Sequence, residues 1–257
     1  MSKAILVVSF GTTYPETRKK TIEACEEAIQ TAFPELTVYR AFTSTVVIRR
    51  IKQHEGLEIP TVAEALETLY EAGIQEVYIQ PLHMILGGEY EKIVHQARVF
   101  QDKFHVLKIA KTLLSSEADY EAVRAVLLEK YGYFGPETAT VLMGHGSQHY
   151  AFTAYAAMDH MLKGTPVRIG CVESYPPVSL IEKELQEEGV KTIHLAPFML
   201  VAGDHATNDM TSDEEDSWNT YFKSRGYQVE THLVGLGEYP EIQALYIAHL
   251  KSTIEEE

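Results

Sequence analysis

Residues 138–147 read Thr-Ala-Thr-Val-Leu-Met-Gly-His-Gly-Ser, and the reading of this stretch decides the fold. Thr138 to Leu142 is an apolar run of strand length, followed by a turn in which Gly144 and Gly146 flank His145. A buried strand ending in such a turn belongs to an open α/β sheet, where ligands bind beyond the carboxyl ends of the strands. There an imidazole can face a crevice while the glycines let a bulky group approach the backbone. The same residues also suit a plain strand-to-helix turn with a solvent-facing histidine, so the neighbouring segments have to decide.

Working outward, strands and helices alternate on both sides. Downstream, a helix is predicted over about 151–162, a strand over 167–172, a helix over 178–188 and a strand over 192–198. A polar loop and helix span 204–225, then a strand 228–234 and a last helix 240–252. Upstream, strands are predicted at 4–9, 36–42, 77–82 and 106–110. Helices fall between and after them, from Pro15 through Ala32 and over 46–54, 62–72, 90–104 and 117–131. Ile22, Cys25, Ala28, Ile29 and Ala32 keep helical spacing, and Thr61 with Glu64 forms a capping box ahead of 62–72. This alternation implies βαβ units and parallel sheets covered on both faces. The Gly132–Pro136 stretch is the best hinge. It divides the chain into an N-terminal α/β lobe, 1–135, and a C-terminal α/β lobe, 136–257, that carries the metal-site candidates.

The halves also repeat each other. LVVSFGT (6–12) lies over VLMGHGS (141–147), setting Phe10 opposite His145. VYRAFTS (38–44) lies over RIGCVES (168–174), setting Thr43 opposite Glu173. PLHMILGGE (81–89) lies over PFMLVAGDH (197–205), setting Glu89 opposite His205. Three matches at successive strand exits are expected of duplicated lobes facing each other across a cleft. In the second half these exits present His145, Glu173 and His205, two imidazoles and a carboxylate, which suits a borderline divalent ion such as cobalt, iron, nickel or zinc. Glu89 is the acidic candidate from the first half. Met84, Leu86 and Met199 suit either apolar walls for a flat ligand or ordinary core, and Phe10 and Thr12 at the first strand exit join them as substrate-contact candidates.

Other titratable residues read more plainly. His83 suits an exposed loop position, His149 and His160 the surface, and His194 a packed position inside a strand. The acidic stretch around Asp204, Asp209 and 213–216 reads as a solvated face that also attracts cations. Arg18, Lys19, Lys20, Arg49 and Arg50 are the basic clusters able to meet substrate carboxylates, against a reading as plain surface charge.

Composition bounds the function classes. The 257 residues are 45% hydrophobic with a formal charge of -15, which argues against nucleic acid or an anionic membrane as a general partner. No apolar run reaches membrane-spanning length. Two cysteines are too few for a disulfide framework, so a reducing compartment, the cytoplasm, is expected unless an export signal has been removed. Neither GxGxxG after the first strand nor GxxxxGK[ST] is present, so no nucleotide is expected.

The segments 6–24 (LVVSFGTTYPETRKKTIEA), 142–147 (LMGHGS), 172–177 (VESYPP), 81–93 (PLHMILGGEYEKI) and 197–210 (PFMLVAGDHATNDM) together resemble the anaerobic sirohydrochlorin cobaltochelatase family, class II chelatases related to ferrochelatase. The resemblance spans nearly the whole chain. It implies two similar α/β lobes with a tetrapyrrole cleft between them, and an ATP-independent lyase that inserts Co2+ into sirohydrochlorin for cobalamin biosynthesis. It implies His145, Glu173 and His205 as metal-binding residues, with His145 and Glu89 as the catalytic pair. Fe2+ or Ni2+ in place of Co2+, a ferrochelatase activity, and a non-catalytic metal or tetrapyrrole carrier remain as alternatives. A second copy of the chain is a further partner that the motifs leave open.

Overall fold

The computed structural model describes residues 2–256, which form two compact units. One takes in the chain up to Ser115 together with Gly237 onward, and the other is Ser116–Leu236.

The first unit is built on four parallel strands, β1 Lys3–Ser9, β2 Thr37–Phe42, β3 Glu76–Pro81 and β4 Val106–Ile109, in the order β2-β1-β3-β4. From Ala4 on, every residue of β1 is buried, as expected of a central strand covered on both faces. Helix α1 (Pro15–Arg18) opens with proline in its first turn, where the missing N–H costs nothing. It runs through one π-helical turn, Lys19–Glu23, into α2, Ala24–Ala32. Helix α3 is Thr45–Glu55 and α4 is Val62–Glu71, the latter held by the expected Thr61–Glu64 capping box. Val62, Ala65, Leu66 and Leu69 of α4 share a core with Leu6, Val8 and Ile79, joined by Ile93 and Ala97 of α5, Gly88–Arg98. The predicted helix 90–104 stops early. After Arg98 the backbone tightens, Phe100 N–H donating to Ala97 at 2.9 Å, and Phe100 and Phe104 turn into that core.

The second unit repeats the plan. Its strands are β5 Thr138–Gly144, β6 Val167–Cys171, β7 Thr192–Pro197 and β8 Gln228–Thr231, all parallel, in the order β6-β5-β7-β8. Helices α6 (Glu117–Tyr131) and α7 (Thr153–Met161) pack beside β6. Helices α8 (Val178–Glu187) and α9 (Trp218–Lys223) supply Ile181, Leu185, Trp218 and Phe222 to a core with Val141, Met143 and Leu195. A π-helical turn, Ala206–Met210, adds Ala206 and Met210. Strand β8 ends at Thr231 rather than 234, close to where its partner β7 reaches Pro197.

The boundary differs from the expected one at residue 135. Helix α6 follows β4 yet belongs to the second unit. The last helix, α10 (Pro240–Glu255), follows β8 yet packs on α2 and β3 of the first. Tyr246 of α10 is fully buried and donates its hydroxyl to the Leu82 carbonyl at 3.0 Å. The hinge at 132–136 is therefore a connection inside the second unit, from α6 to β5.

Candidate metal and tetrapyrrole site

The turn after β5 is shaped by its glycines. Gly146 has φ +85°, and a Cβ there would sit 2.6 Å from Ser174 Oγ. Ser174 Oγ also accepts the Ser147 N–H at 3.1 Å, and the Glu173 N–H donates to the His145 carbonyl at 3.1 Å. The loops after β5 and β6 are thus stitched together, and they bring His145 beside Glu173. His145 Nδ1 lies 4.0 Å from a Glu173 carboxylate oxygen and 3.1 Å from the Gly146 carbonyl. His205, just before the π-helical turn beyond β7, completes the group: its ring meets that of His145 edge-on at 4.5 Å between centroids.

Both imidazoles are held by the nitrogen nearer the backbone. His145 Nδ1 faces the Gly146 carbonyl, and His205 Nδ1 is bonded to the carboxylate of Asp209, one turn on. A donor at Nδ1 leaves Nε2 as a free lone pair, and a carboxylate behind an imidazole raises its basicity toward a metal. The side chains are 33–44% exposed and so retain rotamer freedom. Their ligand atoms are not yet all within 4.8 Å of one another, so capture of an ion requires side-chain rotation. No thiolate competes: Cys171, at the end of β6, is buried, and burial pushes its thiol up to about 12.

The first unit carries the remaining candidates. Glu89, in the first turn of α5, pairs through one oxygen with Lys92 Nζ at 2.5 Å, while its Oε2 is enclosed and unpartnered. His83, expected on an exposed loop, has both ring nitrogens enclosed without a partner. Burial lowers its pKa to about 4, against the opposing pull of the nearby Glu89. Phe10 and Leu86 are 48% and 41% exposed, large apolar side chains near strand exits. Met84 is half-buried. Met199, in the second unit, packs partly against that unit's core. Thr12 is buried and spent on its own turn, accepting the Tyr14 N–H at 3.2 Å.

Two expectations change. Arg18 is not a surface cation: its guanidinium is buried and forked onto Glu55 at 3.1 and 2.5 Å, which holds the Glu55 carboxyl below its usual range. Lys19, Lys20, Arg49 and Arg50 do stay exposed. The second repeat match is also displaced by one residue. Thr43 and Ser44 N–H donate to the Ser9 and Phe10 carbonyls as Val172 and Glu173 N–H donate to Gly144 and His145. The counterpart of Glu173 is therefore Ser44, whose hydroxyl caps α3 by accepting the Val47 N–H. Asp209, by sequence part of a solvated acidic face, instead bonds the His205 imidazole. Its four-residue spacing from His205, one helical turn, was the available signal for its contact.

The family model described as cobalt chelatase (CbiK) matches residues 3–255. A sirohydrochlorin cobaltochelatase of Salmonella typhimurium is 45% identical over 256 residues, covering 99% of this chain and 97% of the relative. The sirohydrochlorin cobaltochelatase CbiKC of Nitratidesulfovibrio vulgaris is 30% identical over 98% of this chain and 90% of its own length. Among solved structures, SirB from Bacillus subtilis with Fe3+ has a TM-score of 0.62 at 15% identity, covering 99% of this chain and 96% of that one. The chelatase-like DR2241 from Deinococcus radiodurans has a TM-score of 0.63 at 12% identity, covering all of this chain and 56% of that one. These two likenesses concern the fold. From the near-complete match to the family model and the closeness of the curated relatives, the chain belongs to the cobalt chelatase (CbiK) family of metal-inserting enzymes.

Proposed function

We propose that the protein inserts Co2+ into sirohydrochlorin without a nucleotide, exchanging one divalent ion for the two pyrrole protons of the ring. Two relatives named as sirohydrochlorin cobaltochelatases support the substrate. The observation that carries the site is the convergence of His145, Glu173 and His205, with both Nδ1 atoms tied back so that Nε2 is the nitrogen offered to an ion.

In this reading Co2+ is a substrate, received by the two Nε2 atoms and the Glu173 carboxylate. Mixed nitrogen and oxygen ligation holds a borderline ion without the grip of several thiolates, which suits an ion that must be handed on. Glu173 offsets part of the incoming charge. Glu89, whose Oε2 no hydrogen bond otherwise occupies, or one of the two imidazoles accepts one displaced pyrrole proton, and the other passes to solvent. His83, kept neutral by its enclosure, adds no positive charge beside that carboxylate. The exposed faces of Phe10 and Leu86, with Met84 and Met199, meet the apolar surface of the macrocycle.

The test is an anaerobic assay presenting sirohydrochlorin with Co2+, Fe2+ and Ni2+ in parallel, followed by the absorption of the ring. Many turnovers with Co2+ are expected. Stoichiometric binding without conversion would leave a carrier instead. The cytoplasm is the compartment proposed, supported by the two free cysteines. Among the described residues no helix is long and apolar enough to cross a membrane. Recovery of the protein in an exported fraction would overturn the location.

A further inference from the structure

Along the outer edge of the second sheet lies another set of metal-ligating side chains, sharing no residue with the first. His194 of β7 stands opposite Glu230 of β8 in the strand register, and His232 follows β8 directly. Parallel pairing therefore brings together residues 36 to 38 positions apart. The His232 N–H donates to the Leu195 carbonyl at 2.8 Å, which extends the ladder and fixes where its ring can lie. His194 Nδ1 is 3.0 Å from His232 Nε2 and 3.6 Å from a Glu230 carboxylate oxygen. One ligand atom from each of the three lies within 4.8 Å of the others.

We propose that His194, Glu230 and His232 form a second, exchangeable site for a borderline divalent transition-metal ion, separate from the His145 group. Bond lengths of about 2.0–2.2 Å to imidazole nitrogen and carboxylate oxygen put tetrahedral ligand atoms roughly 3.3–3.5 Å apart, so the observed spacing needs little adjustment. Imidazole and carboxylate ligation selects cobalt, nickel or zinc over magnesium or calcium.

The surroundings are those of a preorganised site. Phe134, from the segment between α6 and β5, stacks on both rings, with centroids 3.9 Å from His194 and 5.2 Å from His232. His194 is 4% exposed, so its ring is held in place by packing rather than free to swing into solvent. Glu230 is exposed and His232 half-exposed. The fourth position therefore opens to water, as in sites that exchange their ion rather than lock it. Without an ion, one of the facing imidazole nitrogens donates its hydrogen to the other, and both can bind a cation once the donating ring carries its proton on its other nitrogen instead. Three residues of strand beyond His194, about 10 Å, lead to the end of β7, so the two groups do not merge.

The test uses Co2+ as the probe on the intact chain, with equilibrium dialysis for stoichiometry and visible d–d absorption for the ligand field. The double variant His145→Ala/His205→Ala is expected to keep one Co2+ per chain, and adding His232→Ala and Glu230→Gln to lose it. Both added changes are at accessible edge positions. In the otherwise unaltered protein, His232→Ala/Glu230→Gln is expected to lower the count by one ion and leave the ion at the His145 group. The proposal is overturned if the folded double variant binds no Co2+, or if the edge substitutions change neither count nor spectrum in either background. Should the double variant not fold, the unaltered background decides alone. Failure of the His145 group as a metal site would appear separately, as a count unchanged by His145→Ala/His205→Ala.

Discussion

The two units share a strand order and even individual hydrogen bonds, yet their strand exits carry different chemistry. In the first, Leu82 N–H donates to the Val8 carbonyl across the end of β3; in the second, Phe198 N–H donates to Met143 across the end of β7, both at 2.7 Å. On these matching backbones, Phe10, Ser44 and Glu89 are the equivalents of His145, Glu173 and His205. Ser44 is spent as a helix cap, Phe10 offers only an apolar face, and Glu89 is tied to Lys92. The scaffold places three side chains at three exits in either half, and in the proposed reading the residue types alone decide that one half can gather a metal ion.

The hardest way to break this contrast is to make the second unit resemble the first. His145→Ala removes a proposed ligand, while Ala tolerates the turn as Phe10 tolerates its own. Substituting residues behind a ligand already costs about 10–100-fold in affinity or activity, so losing the ligand should exceed about 100-fold in turnover with Co2+. Circular dichroism should be unchanged, and near-normal insertion by this variant would remove His145 from the site. Glu89→Gln tests the other half. Loss of a positioned proton acceptor lowers turnover by about 100-fold at the least, and Co2+ binding to the free protein should stay as it was. A loss confined to metal affinity would instead make Glu89 a ligand.

His83 sharpens the contrast through stability. Its counterpart in the second unit is Met199, an apolar residue at the same point of the repeat. Enclosing an imidazole there lowers its pKa from 6.5 to about 4. Above pH 6.5 the group is neutral folded or unfolded and contributes nothing to the pH dependence. As pH falls from 6.5 toward 4 the unfolded chain takes up a proton that the folded chain refuses, so stability is lost through this window and levels off below it. The loss amounts to at most about 3 kcal/mol. Denaturant unfolding of His83→Met against the parent should lose this component between pH 6.5 and 4, and an unchanged pH profile would show that the imidazole is hydrated.

Much of this was legible along the chain because apolar runs and caps are local signals. The strands announced themselves as short Val- and Ile-rich stretches, α6 began and ended where its periodicity did, and the Thr61–Glu64 box closed as read. What escaped depends on contacts far apart in sequence. The return of α10 to the first unit rests on apolar burial and on a hydroxyl meeting a carbonyl 164 residues away. Arg18 reads as surface because charge ordinarily is, and it is chiefly Glu55, 37 positions on, that makes its burial tolerable. The one-residue slip at Thr43 arose because Phe42-Thr43-Ser44 and Cys171-Val172-Glu173 share no side-chain class, so only the hydrogen-bond register reveals which residues correspond. His194 read as a packed strand residue, and it is one; its partners come from the neighbouring strand.

The smallest expected effect concerns Asp209, where the halves differ one layer behind the ligands. Four residues after Glu89 the first unit has Ile93, a core residue; four after His205 the second has Asp209, bonded to the imidazole. If the second unit is the metal-receiving one, that carboxylate fixes the His205 tautomer and strengthens Nε2 as a donor. Asp209→Asn keeps the size and leaves an amide oxygen able to accept from Nδ1–H, so orientation survives and only the charge is lost. Co2+ affinity should therefore fall by about tenfold, the lower end for groups behind a ligand. Asp209→Ile, copying the first unit, removes orientation as well and should cost more. Equal Co2+ affinity in the parent and both variants, measured by calorimetry, would mean that Asp209 only decorates the surface. The asymmetry between the units would then end at the three ligands themselves.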